Sequence, residues 1–354
     1  MTDVSPPDRQ ALRVINAWAP IRVCDNGGWT DTWFARHGKV FNIAVSPGVD
    51  VQVAVTRRGQ RADRVILHAE NLGAPYSVDP DRPGGGPHPM LEAAIAEVGV
   101  PVDVAVEIAI HSDVPAGCST GTSAAVMVAL VGALDALRGG TLSRLEIAYL
   151  AHRVEVERLG LQSGVQDQLA ASFGGINFIE IDEYPHARVS QIEVSDRVRW
   201  DLDRRLVLVF LGRTHKSSAV HDLVIASLSQ EGGTSPALDR LRLAAEHARA
   251  ALAEEDFEAL GRTMIDNTAA QGDLHPGLIG REAHEVIAIA RAHGAIGWKV
   301  NGAGGDGGSL TLLAPASAPV RRALLRAIDG TPPYRVIPTS LSPAGLRVWD
   351  ACRP

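Results

Sequence analysis

The run Pro115-Ala-Gly-Cys-Ser-Thr-Gly-Thr-Ser-Ala-Ala125 constrains this chain more than any other segment. Before it, Val102 to Ile110 alternates apolar with polar or small residues and is rich in Val and Ile, the pattern of a half-buried strand. After it, SAAVMVALVGALDAL is apolar nearly all round as far as Gly139-Gly140, which predicts a buried helix with a glycine stop. A buried helix must find partners for its first N–H groups. The residues at that end are Ser119, Thr120, Gly121, Thr122 and Ser123, none of them acidic. Free donors and the positive end of the helix dipole favour a phosphate there. The competing reading is that Ser and Thr only cap the helix while the glycines only turn the chain.

Other phosphate-binding signatures do not fit. G-x-x-x-x-G-K-[ST] does not occur, so a P-loop NTPase is unsupported. G-x-G-x-x-G occurs at Gly302, Gly304 and Gly307 after a strand-like Ile296 to Val300. The next residues, Ser309-Leu-Thr-Leu-Leu-Ala, read as a second strand and not as the helix a dinucleotide site requires. The segment predicts a strand-loop-strand whose bare backbone lets a ligand or a neighbouring loop approach closely.

At 354 residues the chain has room for two domains of ordinary size. A 45% apolar and 21% charged composition is that of a soluble globular protein. A net charge of -7 with no dense Lys/Arg run argues against nucleic-acid and membrane partners. Cys24, Cys118 and Cys352 lie far apart without a C-x-x-C, so neither a disulfide framework nor a zinc ribbon is expected, and the cytoplasm is the default compartment. The start MTDVSPPDRQ is too polar for a signal peptide and reads as a frayed tail.

Strand-like runs occupy Leu12 to Trp18, Ile21 to Cys24, Val40 to Val45, Val49 to Thr56 and Arg64 to Ala69. A loop, Arg82 to Pro89, and a helix, Met90 to Val98, come before the strand and cradle. Ser143-Arg-Leu-Glu146 has capping-box spacing and predicts a helix over about 143 to 159, ended by Gly160. A short helix, Val165 to Phe173, and a strand, Ile176 to Ile181, come next, and the polar stretch Gln191 to Asp203 reads as a domain crossing. Beyond it, strand Leu206 to Leu211, helices near 218 to 230, 236 to 253, 255 to 270 and 280 to 293, the glycine loop between two strands, a helix 317 to 329 and closing strands suggest an α+β sandwich.

Four of these segments, in order, resemble the motifs of the GHMP family of small-molecule kinases, and the resemblance covers nearly the whole chain. Pro20-Ile-Arg-Val-Cys-Asp-Asn-Gly-Gly-Trp-Thr-Asp31 is similar to the substrate-side motif, and Pro115 to Ala125 to the phosphate loop usually written P-x-x-x-G-L-G-S-S-A. Gly160 to Gly175 resembles the segment with the catalytic aspartate, here Asp167, and Asn301 to Gly308 the third, glycine-rich motif. Ser119-Thr120 stands where Gly-Leu is usual and Thr122 where Ser is usual, which keeps the hydroxyl chemistry but can shift nucleotide preference. Gly27-Gly28-Trp29 and Gln166-Asp167-Gln168 are most like fucokinases and heptose-7-phosphate kinases.

The resemblance implies two domains: an N-terminal mixed α/β domain over 11–195 and a C-terminal ferredoxin-like α/β sandwich over 204–354. It implies an ATP- and Mg²⁺-dependent sugar kinase, monomeric or homodimeric, acting on a sugar or sugar phosphate at a hydroxyl, the anomeric one. Nucleotide contacts would fall on Pro115, Gly117, Ser119, Thr120, Gly121, Thr122 and Ser123. Thr122 or Ser123 with Glu155 would hold Mg²⁺, with Glu157 the competitor; at about 100° per residue the two carboxylates cannot share a helix face. Asp167 would face the acceptor hydroxyl with Arg22 beside it, and Gly28, Trp29, Thr30, Asp31, Gly164 and Gly304 would contact substrate. Alternatives stay open: Asp167 as a helix N-terminal charge, Asp31 as a turn residue, and Glu155 and Glu157 as surface carboxylates. Arg213, His215 and Lys216 are either a site for a substrate phosphate or a solvated loop. A GHMP kinase of a non-sugar acceptor and a non-catalytic binding protein of the same fold are the rival readings.

Overall fold

The computed structural model describes residues 11–60, 62–214, 222, 224–228 and 235–351. Two sheets organise them. The first is built on two long strands, β1 (Arg13–Asn26) and β2 (Gly38–Arg57), each of which merges two strand-like runs of the sequence into one. With β3 (Val65–Ala69), β4 (Tyr76–Val78), β5 (Val104–Ser112) and β13 (Arg347–Asp350) the order is β13-β1-β2-β5-β3-β4. Strands β6 (Ile176–Glu183), β7 (His186–Gln191) and β12 (Ser340–Leu341) complete it on the far half of β2.

Helix α2 (Thr122–Leu137) lies against this sheet with Ala125, Met127, Val128, Leu130, Val131 and Leu134 fully buried, as its all-round apolar sequence requires. Its N-terminus is thereby carried to one end of β1, and the Arg22 N–H donates to the Thr120 carbonyl at 3.0 Å. Around it pack α1 (Pro89–Val98), α3 (Arg144–Arg153) and α4 (Gln166–Phe173). The Ser143–Glu146 capping box starts α3, but the expected helix over 143 to 159 is not uniform: residues Val154–Arg158 form a π turn. The polar stretch read as a crossing contains a short helix, α5 (Asp196–Arg205), capped by Ser195 and burying only Val198, Leu202 and Arg205.

The second sheet runs β11-β8-β10-β9, from β8 (Leu206–Phe210), β9 (Gly297–Val300), β10 (Ser309–Leu313) and β11 (Arg335–Ile337), antiparallel throughout. Numbered within the sheet this is 4-1-3-2, the strand order of a ferredoxin-like sandwich. Between β8 and β9 come α6 (Pro236–Ala253), α7 (Phe257–Leu274) and α8 (Arg281–Ala292), and α9 (Ala318–Asp329) joins β10 to β11. The glycine loop connects β9 to β10, so the strand-loop-strand reading holds and the dinucleotide motif is excluded.

The two halves are not separate bodies. Met264, Leu313 and Ile337 belong to the same apolar cluster as Ile15, Val53 and Leu130, and β12 and β13, from the span expected in the second domain, pair with β2 and β1. The expected tail, most of the helix near 218 to 230, and His215, Lys216 and Cys352 lie outside the described residues. Among the described residues no helix is long and apolar enough to cross a membrane.

Candidate active site

Where the first sheet meets the glycine loop, a cleft of about 400 Å³ opens. One wall is the loop before α2. Gly117, Ser119 and Gly121 hold positive φ values of 68°, 59° and 70°, which folds the loop back on itself. The N-cap of α2 is Gly121, no side chain caps the helix, and its first turn carries no acid. The capping reading of Ser and Thr therefore fails, and the helix start lines the cleft with no side chain capping its first N–H groups. The Thr120 and Thr122 hydroxyls sit 3.1 Å apart beside it.

The opposite wall carries Asp167, in the first turn of α4. A Cβ built on Gly121 would stand 3.2 Å from Asp167 Cγ, so the helix start and the carboxylate nearly touch across the cleft. Arg22 holds that carboxylate in a two-pronged pair: Nε donates to Oδ1 at 2.8 Å and Nη2 to Oδ2 at 3.2 Å. Its third nitrogen, Nη1, donates to the Ser119 carbonyl at 2.5 Å, tying the Asp167 wall to the loop before α2. Burial disfavours the Arg22 charge, but Asp167, Asp25 and Asp31 outweigh it and raise its pKa above the ordinary value.

Arg22 and Asp25 come together because β1 is irregular. An odd spacing in a regular strand puts two side chains on opposite faces. A register shift between Val23 and Asn26, with Cys24 at φ 56°, undoes that alternation, and Arg22 Nη2 lies 4.0 Å from Asp25 Oδ2.

Asp31 does lie in a turn, but it is buried and lines the cleft. Its Oδ2 accepts the Gln166 N–H at 3.1 Å, and Gly164 lies so close that a Cβ there would stand 2.0 Å from the same oxygen. Burial, relieved by the Gln166 N–H and reinforced by Asp167, pushes the Asp31 carboxyl up to about 6.

The π turn sets the two candidate glutamates apart. Glu155 is buried and lines the cleft, whereas Glu157 is exposed. Gln168 Nε2 donates to Glu155 Oε2 at 3.0 Å, while Oε1 is buried without a hydrogen-bond partner among the described residues. Burial pushes this carboxyl up to about 7. An orphaned carboxylate oxygen, the Thr122 and Ser123 hydroxyls and an anion cradle suit Mg²⁺, which takes one or two protein carboxylates and completes its shell from phosphate and water.

These raised pKa values have a stability consequence. The folded state holds the Glu155 proton more tightly than the unfolded chain does. The stability this contributes is fully present below about pH 4.5 and lost as pH rises toward about 7, on the order of 3 kcal/mol. In magnesium-free buffer, Glu155→Gln should melt several degrees above the wild type at about pH 8 and alike near pH 4.5; the same difference at both pH values would contradict this account.

Of the expected site residues, the cleft gathers Arg22, Trp29, Asp31, Gly117, Ser119, Thr120, Gly121, Thr122, Ser123, Glu155, Gly164 and Asp167. Pro115, Gly28, Thr30 and Gly304 are not in its lining. Thr30 is a buried brace whose hydroxyl donates to the Gly27 carbonyl at 2.7 Å. Gly28 allows Asp25 and Gln166 to close in, and Gly304 packs on the Leu278 carbonyl, so both act on shape. The glycine loop reaches the cleft through Gly302 and Ala303 instead. Arg213 is also away from it, paired with Glu282 at 2.7 Å. Sequence reasoning missed Thr32, the Leu161–Ser163 rim and the buried Asp25–Lys299 pair.

An anion cradle, a carboxylate held by an arginine and a polar wall in one cleft are the parts of a phosphotransferase acting on a small molecule. The model of the GHMP kinases N terminal domain matches residues 89–175. The mevalonate kinase of Pyrococcus furiosus is 30% identical over 256 residues, 71% of each chain. The D-glycero-alpha-D-manno-heptose 7-phosphate kinase of Campylobacter jejuni is 27% identical over 239 residues, 68% of this chain and 69% of its own. A crystal structure of a D-glycero-D-manno-heptose 1-phosphate kinase from Bacteroides thetaiotaomicron shares the fold, with a TM-score of 0.73 over 96% of this chain and 100% of that one, at 19% identity. The chain belongs to the GHMP kinase family. It is a phosphotransferase with an alcohol group as acceptor, in a family that uses ATP.

Proposed function

We propose that this enzyme is a Mg²⁺-dependent sugar kinase that transfers the γ-phosphoryl group of ATP to a sugar hydroxyl, the anomeric one, of a heptose 7-phosphate or a fucose-like sugar. The observation that carries it is the shared cleft: the α2 N-terminus, Asp167 and the Asp31–Gln166 wall face one space. Phosphoryl transfer runs through a loose transition state, so catalysis is mostly positioning and charge stabilisation. The N–H groups at 121–124 pin the phosphate chain. Asp167, oriented by Arg22, accepts a hydrogen bond from the acceptor hydroxyl and takes its proton late in the transfer. Mg²⁺, held by Glu155 and by Thr122 or Ser123, would offset phosphate charge.

The acceptor wall favours a polyol. Asp31 offers carboxylate oxygens, and Gln166 and Gln168 each have a buried Oε1 without a hydrogen-bond partner among the described residues. Arg22, the only cation among the described lining residues, is committed to Asp167. An anionic acceptor would meet Asp31, Glu155 and Asp167 with no free counter-charge from those residues, which counts against mevalonate and, between the two proposed sugars, favours the neutral fucose-like one over the heptose 7-phosphate. ADP release should therefore be measured with D-glycero-D-manno-heptose 7-phosphate, fucose, galactose, homoserine and mevalonate. We expect one of the sugars to exceed mevalonate by at least about 100-fold in kcat/KM, since a buried acceptor left unpaired costs that much. Preference for mevalonate would overturn the sugar assignment and leave the kinase intact.

A further inference from the structure

Behind Arg22, away from the cleft, the two sheets meet through a buried polar contact. Lys299, on β9, is almost fully buried, and so is Asp25 on β1; Lys299 Nζ lies 3.3 Å from Asp25 Oδ1. Nζ also donates to Gln271 Oε1 at 3.1 Å and to the Val300 carbonyl. Gln271, on α7, in turn donates to the Gly302 carbonyl at 3.1 Å, and the Gly302 N–H donates to Asp25 Oδ2 at 3.0 Å. Neither Lys299 nor Asp25 lines the cleft.

This pair stands in a line of alternating charge. Lys299 meets Asp25, Asp25 stands 4.0 Å from Arg22, and Arg22 grips Asp167. Asp25 is thus a competitor for the guanidinium. It is buried more deeply than Asp167, whose side chain is 28% exposed, and in a medium of low dielectric an unneutralised Asp25 would attract Arg22 more strongly than Asp167 does. The lysine cancels that pull. Burial lowers the Lys299 pKa, and Asp25 opposes that shift.

We propose that Lys299 and Asp25 are a positioning pair: by neutralising Asp25, Lys299 leaves Arg22 to hold Asp167 toward the acceptor. The inference rests on the assignment of Asp167 as the acceptor-facing carboxylate. It makes the second sheet part of the catalytic geometry, since Lys299 is supplied by β9 and its neighbour Gln271 by α7.

The test compares Lys299→Met with the double variant Asp25→Asn/Lys299→Met, using ATP and the best acceptor of the panel, with rates expressed per folded molecule. In Lys299→Met, kcat should fall at least about tenfold while the KM for ATP stays within about threefold, because Arg22 bonds to the loop before α2 at the Ser119 and Thr120 carbonyls and leaves the N–H groups of 121–124 in place. Its crystal structure should show Arg22 Nη2 drawn onto Asp25 and the two-pronged grip on Asp167 broken. In the double variant the competing charge is gone and Asn still accepts the Gly302 N–H, so kcat should return to within about threefold of the wild type. A purely structural pair would lower the amount of folded enzyme without changing kcat per folded molecule, and that result overturns the proposal. So does a folded double variant as slow as Lys299→Met. Should Lys299→Met not fold, the double variant alone decides. If Asp167→Asn proves fully active, the assignment of Asp167 fails instead, and the Arg22 position in the Lys299→Met crystal remains a separate reading of the charge balance.

Discussion

Replacing Asp167 by Asn should lower kcat about a thousandfold, with ATP affinity changed by no more than about threefold. An amide is isosteric with the carboxylate and still accepts one hydrogen bond from Arg22, but it cannot take the acceptor's proton. The phosphate wall of the proposal is unaltered, since the α2 start, which no side chain caps, would hold the nucleotide through backbone N–H groups. The substitution also leaves Arg22, which is only 4% exposed, without its partner's charge. Loss of one member of such a pair costs about 3–5 kcal/mol, so the melting temperature should drop as well. Steady-state kinetics and nucleotide titration on the same preparation separate these effects. Equal losses of turnover and ATP affinity would mark Asp167 as a structural residue.

The second large effect concerns the two glutamates. Glu155→Gln should raise the Mg²⁺ concentration needed for half-maximal rate by at least about tenfold, since even indirect support of a metal site is worth that much. Glu157→Gln, on the exposed side of the π turn, should leave it unchanged. The contrast depends on local geometry and not on charge, because the two variants remove the same charge two positions apart. A rate–Mg²⁺ titration of both checks it, and the reverse order would move the ligand to Glu157.

Much of this site can be read from local sequence. The α2 start was legible because everything that defines it is contiguous: a strand, a Gly/Ser/Thr loop without acids, and a helix too apolar to be exposed. Arg22 and Asp167 could be paired only through the family resemblance, since no local pattern joins residues 145 positions apart. Glu155 was preferred to Glu157 through the family resemblance, and what places it in the cleft is a π turn, which a 3.6-residue period cannot express. Helix α5 was missed because it is short, polar and anchored by few apolar residues, so its composition resembles a linker. The same limit hid Lys299. In the strand Gly-Trp-Lys-Val a lysine reads as the solvent side, and only the tertiary fold brings Asp25 against it. The boundary near residue 200 was obscured in a similar way, because β12 and β13 return to a sheet begun at the other end of the chain.

The central claim is that phosphoryl donor and acceptor meet between the α2 N-terminus and Asp167. A co-crystal with a non-hydrolysable ATP analogue, Mg²⁺ and the preferred sugar tests it directly. The terminal phosphate should accept hydrogen bonds from the N–H groups of residues 121–124, with the acceptor hydroxyl within about 3 Å of an Asp167 oxygen and in line with the terminal phosphorus. A nucleotide bound with its phosphates away from that helix start, or a sugar whose hydroxyls all lie beyond reach of Asp167, would contradict the account.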